Sequence, residues 1–98
     1  MNIQVTQTGS RMVIELSGWL DSNTAPELDS FVRSSLSDVH ELVFDRNGLE
    51  YISSAGLRVL LCAQKTMNKQ GSMTVRGCSS DVMEIFDITG FSDLLTIE

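Results

Sequence analysis

The sequence has few of the residues that catalytic and metal sites require. Its 98 residues include one histidine, His40, and two cysteines, Cys62 and Cys78. Because there is no C-x-x-C pair, Cys and His alone cannot supply the four ligands of a tetrahedral zinc site within one chain. A serine-histidine triad is disfavoured, since His40 precedes the third predicted strand and is expected at the far end of the sheet from Ser54. We therefore expect no catalysis, no metal and no cofactor.

Basic residues and long apolar runs are also scarce. Seven Lys and Arg stand against 13 Asp and Glu, a net charge of -6. Such a surface repels phosphate backbones, which argues against nucleic acids and anionic membranes as partners. The longest apolar run, residues 59–63, is too short to span a bilayer, and the N-terminal residues lack the basic and apolar regions of a secretory signal. With two cysteines interpreted as buried reduced thiols, the expected location is the cytoplasm.

Known phosphate-binding motifs are missing as well. The chain contains neither G-x-x-x-x-G-K-[ST] nor G-x-G-x-x-G. Residues 52–56, I-S-S-A-G, lack the first glycine of the nucleophile elbow G-x-S-x-G. Asp21, Asp45 and Glu50 are scattered carboxylates, which we interpret as solvated turn residues in preference to a cation site.

Hydrophobic periodicity predicts one α/β domain over residues 1–98. Period-two alternation indicates strands at 2–7 and 11–18, joined by a turn at 8–10. Helical spacing and stop signals indicate helices at 24–38, 54–70 and 81–89. Apolar runs indicate a buried strand at 42–44, a weaker strand at 72–77 and a closing strand at 94–97. The order is β-β-α-β-α-β-α-(β), with helices covering a sheet.

Polar residues at helix starts and strand ends are the candidate functional positions. Thr24 and Glu27 form the pattern of a capping box for the first helix, and Pro26 fits its first turn. Two adjacent serines, Ser53 and Ser54, precede leucines at helical spacing, and a serine there is a natural N-cap for the second helix. Residues 45–48 are expected to form the loop after the third strand, at the sheet edge where sites collect in open α/β folds.

Phosphorylation is a chemistry that suits the start of the second helix. A phosphate on Ser54 adds about 1.5 to 2 negative charges at a helix N-terminus, which the helix dipole favours by only ~0.3–1 kcal/mol. Asp45, expected nearby, opposes it, so the fold should barely respond. A partner docked over Ser54 should respond strongly, because like charges at an interface cost several kcal/mol. The pattern favours a binding switch over a conformational one.

Three blocks of residues stand in order along the chain: L-S-G-W-L-D-S-N-T-A at 16–25, L-V-F-D at 42–45 with Leu49, and Y-I-S-S-A-G-L-R-V-L-L at 51–61. At this order and spacing they resemble the motifs of the STAS domain family, in particular its small free-standing bacterial anti-sigma factor antagonists. F-D-I-T-G-F at 86–91 is similar to the family's closing segment. The resemblance covers the whole chain and implies a mixed four- to five-stranded sheet with helices packed mainly on one face.

The resemblance also implies a partner-switching function. In this family the unphosphorylated antagonist binds an anti-sigma factor, often a serine kinase of the histidine-kinase-like ATPase type, and so frees a sigma factor for transcription. The kinase phosphorylates the antagonist and releases it, and a metal-dependent serine phosphatase resets it. The antagonist is a substrate and ligand of these proteins and has no catalytic role.

Matched position by position, the resemblance makes Ser54 the phosphate acceptor. Ser53 stands where many members have aspartate and is the second candidate. The expected partner-facing surface comprises residues around the acceptor, namely Asp21, Ser22, Asn23, Thr24, Asp45, Ser53, Ala55, Gly56 and Arg58. Arg58 stands where some members have glycine, so we expect partner specificity to differ here.

Two alternatives remain open from the sequence. Some STAS domains are constitutive subunits of lipid or anion transport complexes and have no phosphorylation switch. In the other alternative, both serines serve only as helix caps and the protein is a scaffold. Capping alone predicts that Ser54→Ala costs roughly 0.5–2 kcal/mol and changes nothing else.

Overall fold

The structure describes residues 2–77, 80–90 and 95–96 of the chain, and this part contains seven helices and strands. In this computed structural model they are, in chain order, β1 (Asn2–Thr8), β2 (Arg11–Leu20), α1 (Ala25–Ser35), β3 (Glu41–Ile52), α2 (Ser54–Gln70), β4 (Ser72–Arg76) and α3 (Ser80–Thr89). This order confirms the α/β fold class and the predicted alternation of strands and helices.

The four described strands form one mixed sheet in the order β1-β2-β3-β4. β1 runs antiparallel to β2 through a tight turn, whereas β2, β3 and β4 are parallel. The turn includes Gly9 at a φ of 60°, a left-handed conformation that glycine adopts without steric cost. Beyond α3, the Thr96 carbonyl accepts a hydrogen bond from the Val75 backbone N–H at 2.8 Å, so the chain returns to β4. Residues 94 and 97 of the predicted closing strand lie outside the described part.

One hydrophobic core joins the sheet to the helices. In β2, Ile14 and Leu16 are buried while Glu15 between them is exposed, the alternation of a sheet with one covered face. The core cluster includes Leu28 of α1, several residues of α2 and Phe86 of α3. The helices therefore pack mainly on one face of the sheet, as expected.

Helix α2 has the predicted bounds and is the most buried of the described helices. Its side chains in the core are Leu57, Val59, Leu60, Ala63 and Met67. The helix ends at Gly71, whose backbone N–H donates to the Met67 carbonyl at 2.7 Å. Because α2 is anchored along its whole length, its first turn is held in a defined position above the sheet.

Strand β3 is much longer than predicted. The expected strand at 42–44 and loop at 45–48 are wrong, because β3 continues beside β2 as far as Ile52. Its register with β2 shifts twice, and each shift leaves one extra residue in β3, as in β-bulges. Leu49 and Ile52 are buried while Glu50 and Tyr51 are exposed. Polar residues such as those at 45–48 are typical of a loop, but they can also occupy a strand when one face of the sheet is open to solvent. Likewise, β2 runs to Leu20, two residues beyond its predicted end.

Helix α1 starts differently from its predicted capping box. Thr24 is the N-cap residue, but it has helical dihedral angles and its side chain accepts no capping hydrogen bond. Its hydroxyl instead accepts from the Asp21 backbone N–H and donates to the Trp19 carbonyl, both at 2.9 Å. The loop therefore uses the hydroxyl that a capping box requires. Pro26 lies in the first turn as predicted, and the helix ends at Ser35, three residues before the predicted end.

The histidine lies where it was expected, but one cysteine does not. His40 lies at the start of β3, where its backbone N–H donates to the Ser10 carbonyl, at the opposite end of the strand from Ser53. This position confirms the expected separation of His40 from the serines. The prediction of buried cysteines is wrong for Cys62, which is exposed because it lies on the side of α2 away from Leu60 and Ala63. Cys78 lies outside the described residues.

Candidate functional site

The two serines between β3 and α2 have different surroundings. Ser53 is extended and half-buried; its backbone N–H donates to the Leu20 carbonyl at 2.8 Å, and its Oγ accepts from the Gly56 N–H at 3.4 Å. Ser53 is therefore the N-cap of α2. Ser54 is the first helical residue and is exposed, and its hydroxyl bonds to no residue in the described part of the chain. Of the two serines expected as caps, Ser53 serves as the N-cap and Ser54 does not.

The loop between β2 and α1 lies beside these serines and is held by its own hydrogen bonds. The Asp21 carboxylate accepts from the Asn23 backbone N–H at 2.9 Å and from that of Thr24 at 3.2 Å. This is a turn closed by an aspartate side chain. Ser22 and Asn23 are exposed at its tip. Since Leu20 bonds to Ser53, the loop and the start of α2 present one continuous surface.

A buried glycine brings α2 close to the sheet at this point. A Cβ on Gly56 would lie 2.7 Å from Cγ of Leu20 and 2.9 Å from Cγ1 of Ile52, well inside van der Waals contact. Only glycine allows the first turn of α2 to rest against the ends of β2 and β3. Gly56 therefore shapes the candidate surface from beneath and is not itself exposed on it.

A shallow groove separates the first turns of α1 and α2. It encloses about 320 Å³ and is lined by Ser22, Pro26 and Ala55, among others. On its α1 side, Arg33 Nε lies 2.9 Å from Asp29 Oδ2, and this hydrogen bond raises the pKa of Arg33. On its α2 side, Arg58 is exposed. Three of the predicted surface residues, Ser22, Ala55 and Arg58, thus line one groove, and Ser54 directly precedes Ala55.

The sequence analysis did not predict an aromatic pair that lies at the same end of the sheet as the serines, on the face opposite the helices. Trp19 and Tyr51 are register partners on β2 and β3, with ring centroids 5.1 Å apart. They are 55% and 40% exposed because they alternate with the buried Leu20 and Ile52. The sequence signal that could have found them is the alternation of side chains along a strand. Each aromatic residue directly precedes an apolar residue that fills the core, so it points to the opposite face of the sheet.

A model of the STAS domain matches residues 2–98 of this chain. The chain belongs to the STAS domain family.

BtrV of Bordetella bronchiseptica, which is named as an anti-sigma factor antagonist, is 28% identical over 99% of this chain and 85% of its own length. The anti-sigma-B factor antagonist of Staphylococcus aureus is 25% identical over 99% of this chain and 92% of its own. An anti-sigma factor antagonist from Mycobacterium paratuberculosis has a similar structure, with a TM-score of 0.88, 23% identity and coverage of 98% and 83%. The phosphorylated form of the Bacillus cell fate determinant SpoIIAA superposes with a TM-score of 0.78, at 17% identity over 99% and 91%.

Asp45 of this STAS domain does not lie beside Ser54. It is the register partner of Glu15 on β2, and its Oδ2 lies 3.3 Å from Nε of Arg76. Ile52 lies seven residues further along β3, which is about 20 Å at the usual rise of a strand. The expected juxtaposition with the serines is wrong because β3 does not end at residue 45.

Metal and membrane features give no further site in this STAS domain. Within residues 2–77, 80–90 and 95–96, no three His, Cys, Asp or Glu side chains come together as a metal ion would require. Asp21, Asp45 and Glu50 in particular form no such group. None of the described helices has the length and apolar character to cross a membrane.

Proposed function

We propose that this STAS domain is an anti-sigma factor antagonist controlled by phosphorylation of Ser54. In its unphosphorylated form it binds an anti-sigma factor that is also a serine kinase of the histidine-kinase-like ATPase type. Phosphorylation releases it, and a metal-dependent serine phosphatase restores it. The cycle controls transcription and operates in the cytoplasm. The names of the relatives support the antagonist assignment, and the surroundings of Ser54 support the switch.

The exposed hydroxyl of Ser54 is the observation that carries this proposal. A protein kinase must reach the hydroxyl and align it with a nucleotide phosphate, which a capped or buried serine resists. Ser53 is half-buried and occupied with the Gly56 N–H, whereas Ser54 projects from the first turn of α2. This difference favours Ser54 over Ser53 as the acceptor.

Electrostatic effects lead us to expect that phosphorylation of Ser54 changes binding and leaves the fold intact. A phosphate at residue 54 lies at the positive end of the α2 dipole, which favours it by ~0.3–1 kcal/mol. Asp45 is too distant to oppose it strongly, so the fold tolerates the modification better than the sequence suggested. A partner seated on the same surface has to accept about two negative charges, and unmatched charge at an interface costs several kcal/mol.

The proposed partner surface surrounds Ser54. It consists of the exposed loop residues Ser22 and Asn23, the start of α2 at Ala55, and Arg58 on the groove. Asp21, Thr24 and Ser53 hold this surface in place through the hydrogen bonds described above. Asp45 lies outside it and serves the sheet through its contact with Arg76.

A pull-down from lysate of the source cells tests the proposal. The baits are the wild type, Ser54→Asp, and Ser54→Ala as the matched control that removes the hydroxyl without adding charge. We expect an ATPase-type kinase with the wild type and with Ser54→Ala, and at least about a tenfold loss with Ser54→Asp. Incubation with ATP should then phosphorylate the wild type and leave Ser54→Ala unmodified.

Two results would contradict the switch. Equal capture of the kinase by wild type and Ser54→Asp would show that charge at residue 54 does not control binding. Capture of one membrane ATPase complex by all three baits would instead identify a constitutive subunit of a transport machine.

A further inference from the structure

Arg58 lies one helical turn beyond Ser54 on the exposed side of α2. Both residues are exposed, and both belong to the continuous helix Ser54–Gln70. Side chains four residues apart on an α-helix are neighbours, with Cβ atoms about 5–6 Å apart. The long arginine side chain can therefore reach a group attached to the Ser54 oxygen without any movement of the backbone.

The guanidinium of Arg58 forms no ion pair within the described part of the chain. Arg11, Arg33 and Arg76 each form an ion pair with a nearby carboxylate, whereas Arg58 forms none with any residue that the structure describes. The positions one turn away along α2 are Ser54 and Cys62, and the first turn of the helix contains no acidic residue. Across the groove, the Asp29 carboxylate is bonded to Arg33. The Asp21 carboxylate is turned into its own loop.

We propose that Arg58 is the intramolecular counter-ion of phosphorylated Ser54. The inference rests on the proposed function, which makes Ser54 the phosphate acceptor. The planar guanidinium donates two N–H groups to the phosphate oxygens, a pairing that arginine forms better than lysine. The anion precedes the cation by four residues, which is the favourable orientation on a helix.

This pairing changes the surface in two ways at once. Phosphorylation adds negative charge at residue 54, and it also withdraws the positive charge of Arg58 into a contact within the protein. In the unphosphorylated state, Arg58 lines the groove and forms no ion pair with any residue that the structure describes, so its positive charge is exposed to a docked partner. The two states therefore differ by more than the phosphate alone.

The pairing can be measured by titrating the phosphate with phosphorus NMR. Phosphoserine is installed at residue 54 during translation, so no kinase is needed. Arg58→Gln is compared with Lys65→Gln, a matched control that removes one exposed cation from the same helix, at about 16 Å from residue 54 along the helix axis. We expect the second pKa of the phosphate to rise by roughly 0.2–0.4 in Arg58→Gln, to stay unchanged in Lys65→Gln, and to rise by less in Arg58→Lys.

The control and the salt dependence decide the result. In 1 M salt the difference between the wild type and Arg58→Gln should shrink, because the pair is exposed. An equal pKa in the wild type and Arg58→Gln overturns the inference, and so does an equal rise in Lys65→Gln. Since the phosphate is installed independently of any kinase, this outcome leaves the proposed switch standing. Failure of the pull-down, in turn, leaves the measured pairing intact.

Discussion

The hydroxyl groups of two neighbouring serines, Ser53 and Ser54, differ in their hydrogen bonding. That of Ser53 accepts the Gly56 N–H and closes the first turn of α2, while that of Ser54 faces solvent. The difference arises from backbone conformation: Ser53 is still extended at the end of β3, and Ser54 is already helical. Structural and regulatory roles are thus divided between adjacent residues.

Substitution of each serine by alanine should separate these roles. Ser53→Ala removes the cap and should lower the free energy of unfolding by ~0.5–2 kcal/mol. Ser54→Ala removes an exposed hydroxyl and should change it by less than about 0.5 kcal/mol. Urea unfolding followed by circular dichroism measures both. Equal losses in the two variants would contradict the assignment of Ser53 as the N-cap.

At the scale of elements, the close approach of α2 to the sheet depends on Gly56. Leu20 of β2 and Ile52 of β3 occupy the space that a Cβ at this position requires. Well-packed cores yield only partly to such additions. The position of Ser54 above the sheet edge is therefore coupled to the absence of a side chain two residues later.

Gly56→Ala should therefore destabilise the protein even though alanine favours helices. Overpacking against Leu20 and Ile52 is expected to cost ~1–3 kcal/mol, more than the gain of up to about 1 kcal/mol in helix propensity. Cys62→Ala, an exposed change in the same helix, is the control and should be nearly neutral. Thermal unfolding measures the stability of both variants. A Gly56→Ala variant that is more stable than the wild type would contradict the expected overpacking.

At the scale of the whole molecule, the two ends of the sheet differ in character. At the end that carries His40, the side-chain amide of Gln70 donates to the carbonyls of Leu36 and Val39 and ties α2 to the chain after α1. At the other end, Ser22, Asn23 and Ser54 are exposed, and Ser22 lines the groove between the first turns of α1 and α2. Binding is therefore expected at the second end only.

Two serine substitutions test whether the partner binds at only one end of the sheet. Ser22→Arg places a bulky cation at the mouth of the groove, and Ser37→Arg makes the same change on an exposed residue after α1, at the opposite end. We expect Ser22→Arg to weaken binding of the captured kinase by about tenfold, or about 1.4 kcal/mol, and Ser37→Arg to leave it unchanged. Calorimetric titration gives both affinities. The reverse order of effects would move the interface to the other end.

Much of the fold is determined by local sequence patterns. The hairpin around Gly9, the bounds of α2 and the order of strands and helices follow from periodicity, caps and turn residues that act over a few positions. The family resemblance rests on three short blocks in order along the chain, and the block around Ser54 identifies the candidate acceptor, so both are read from the sequence alone.

Tertiary structure decided what depends on residues far apart in the chain. β3 extends to Ile52 because β2 supplies hydrogen-bonding partners along its length, and this extension separates Asp45 from Ser54. The same pairing brings Trp19 against Tyr51. Ser53 became the cap because its N–H is held by Leu20 of the neighbouring strand, which fixes where the strand ends and the helix begins. No local pattern encodes such contacts, since each needs a partner that only the folded chain provides.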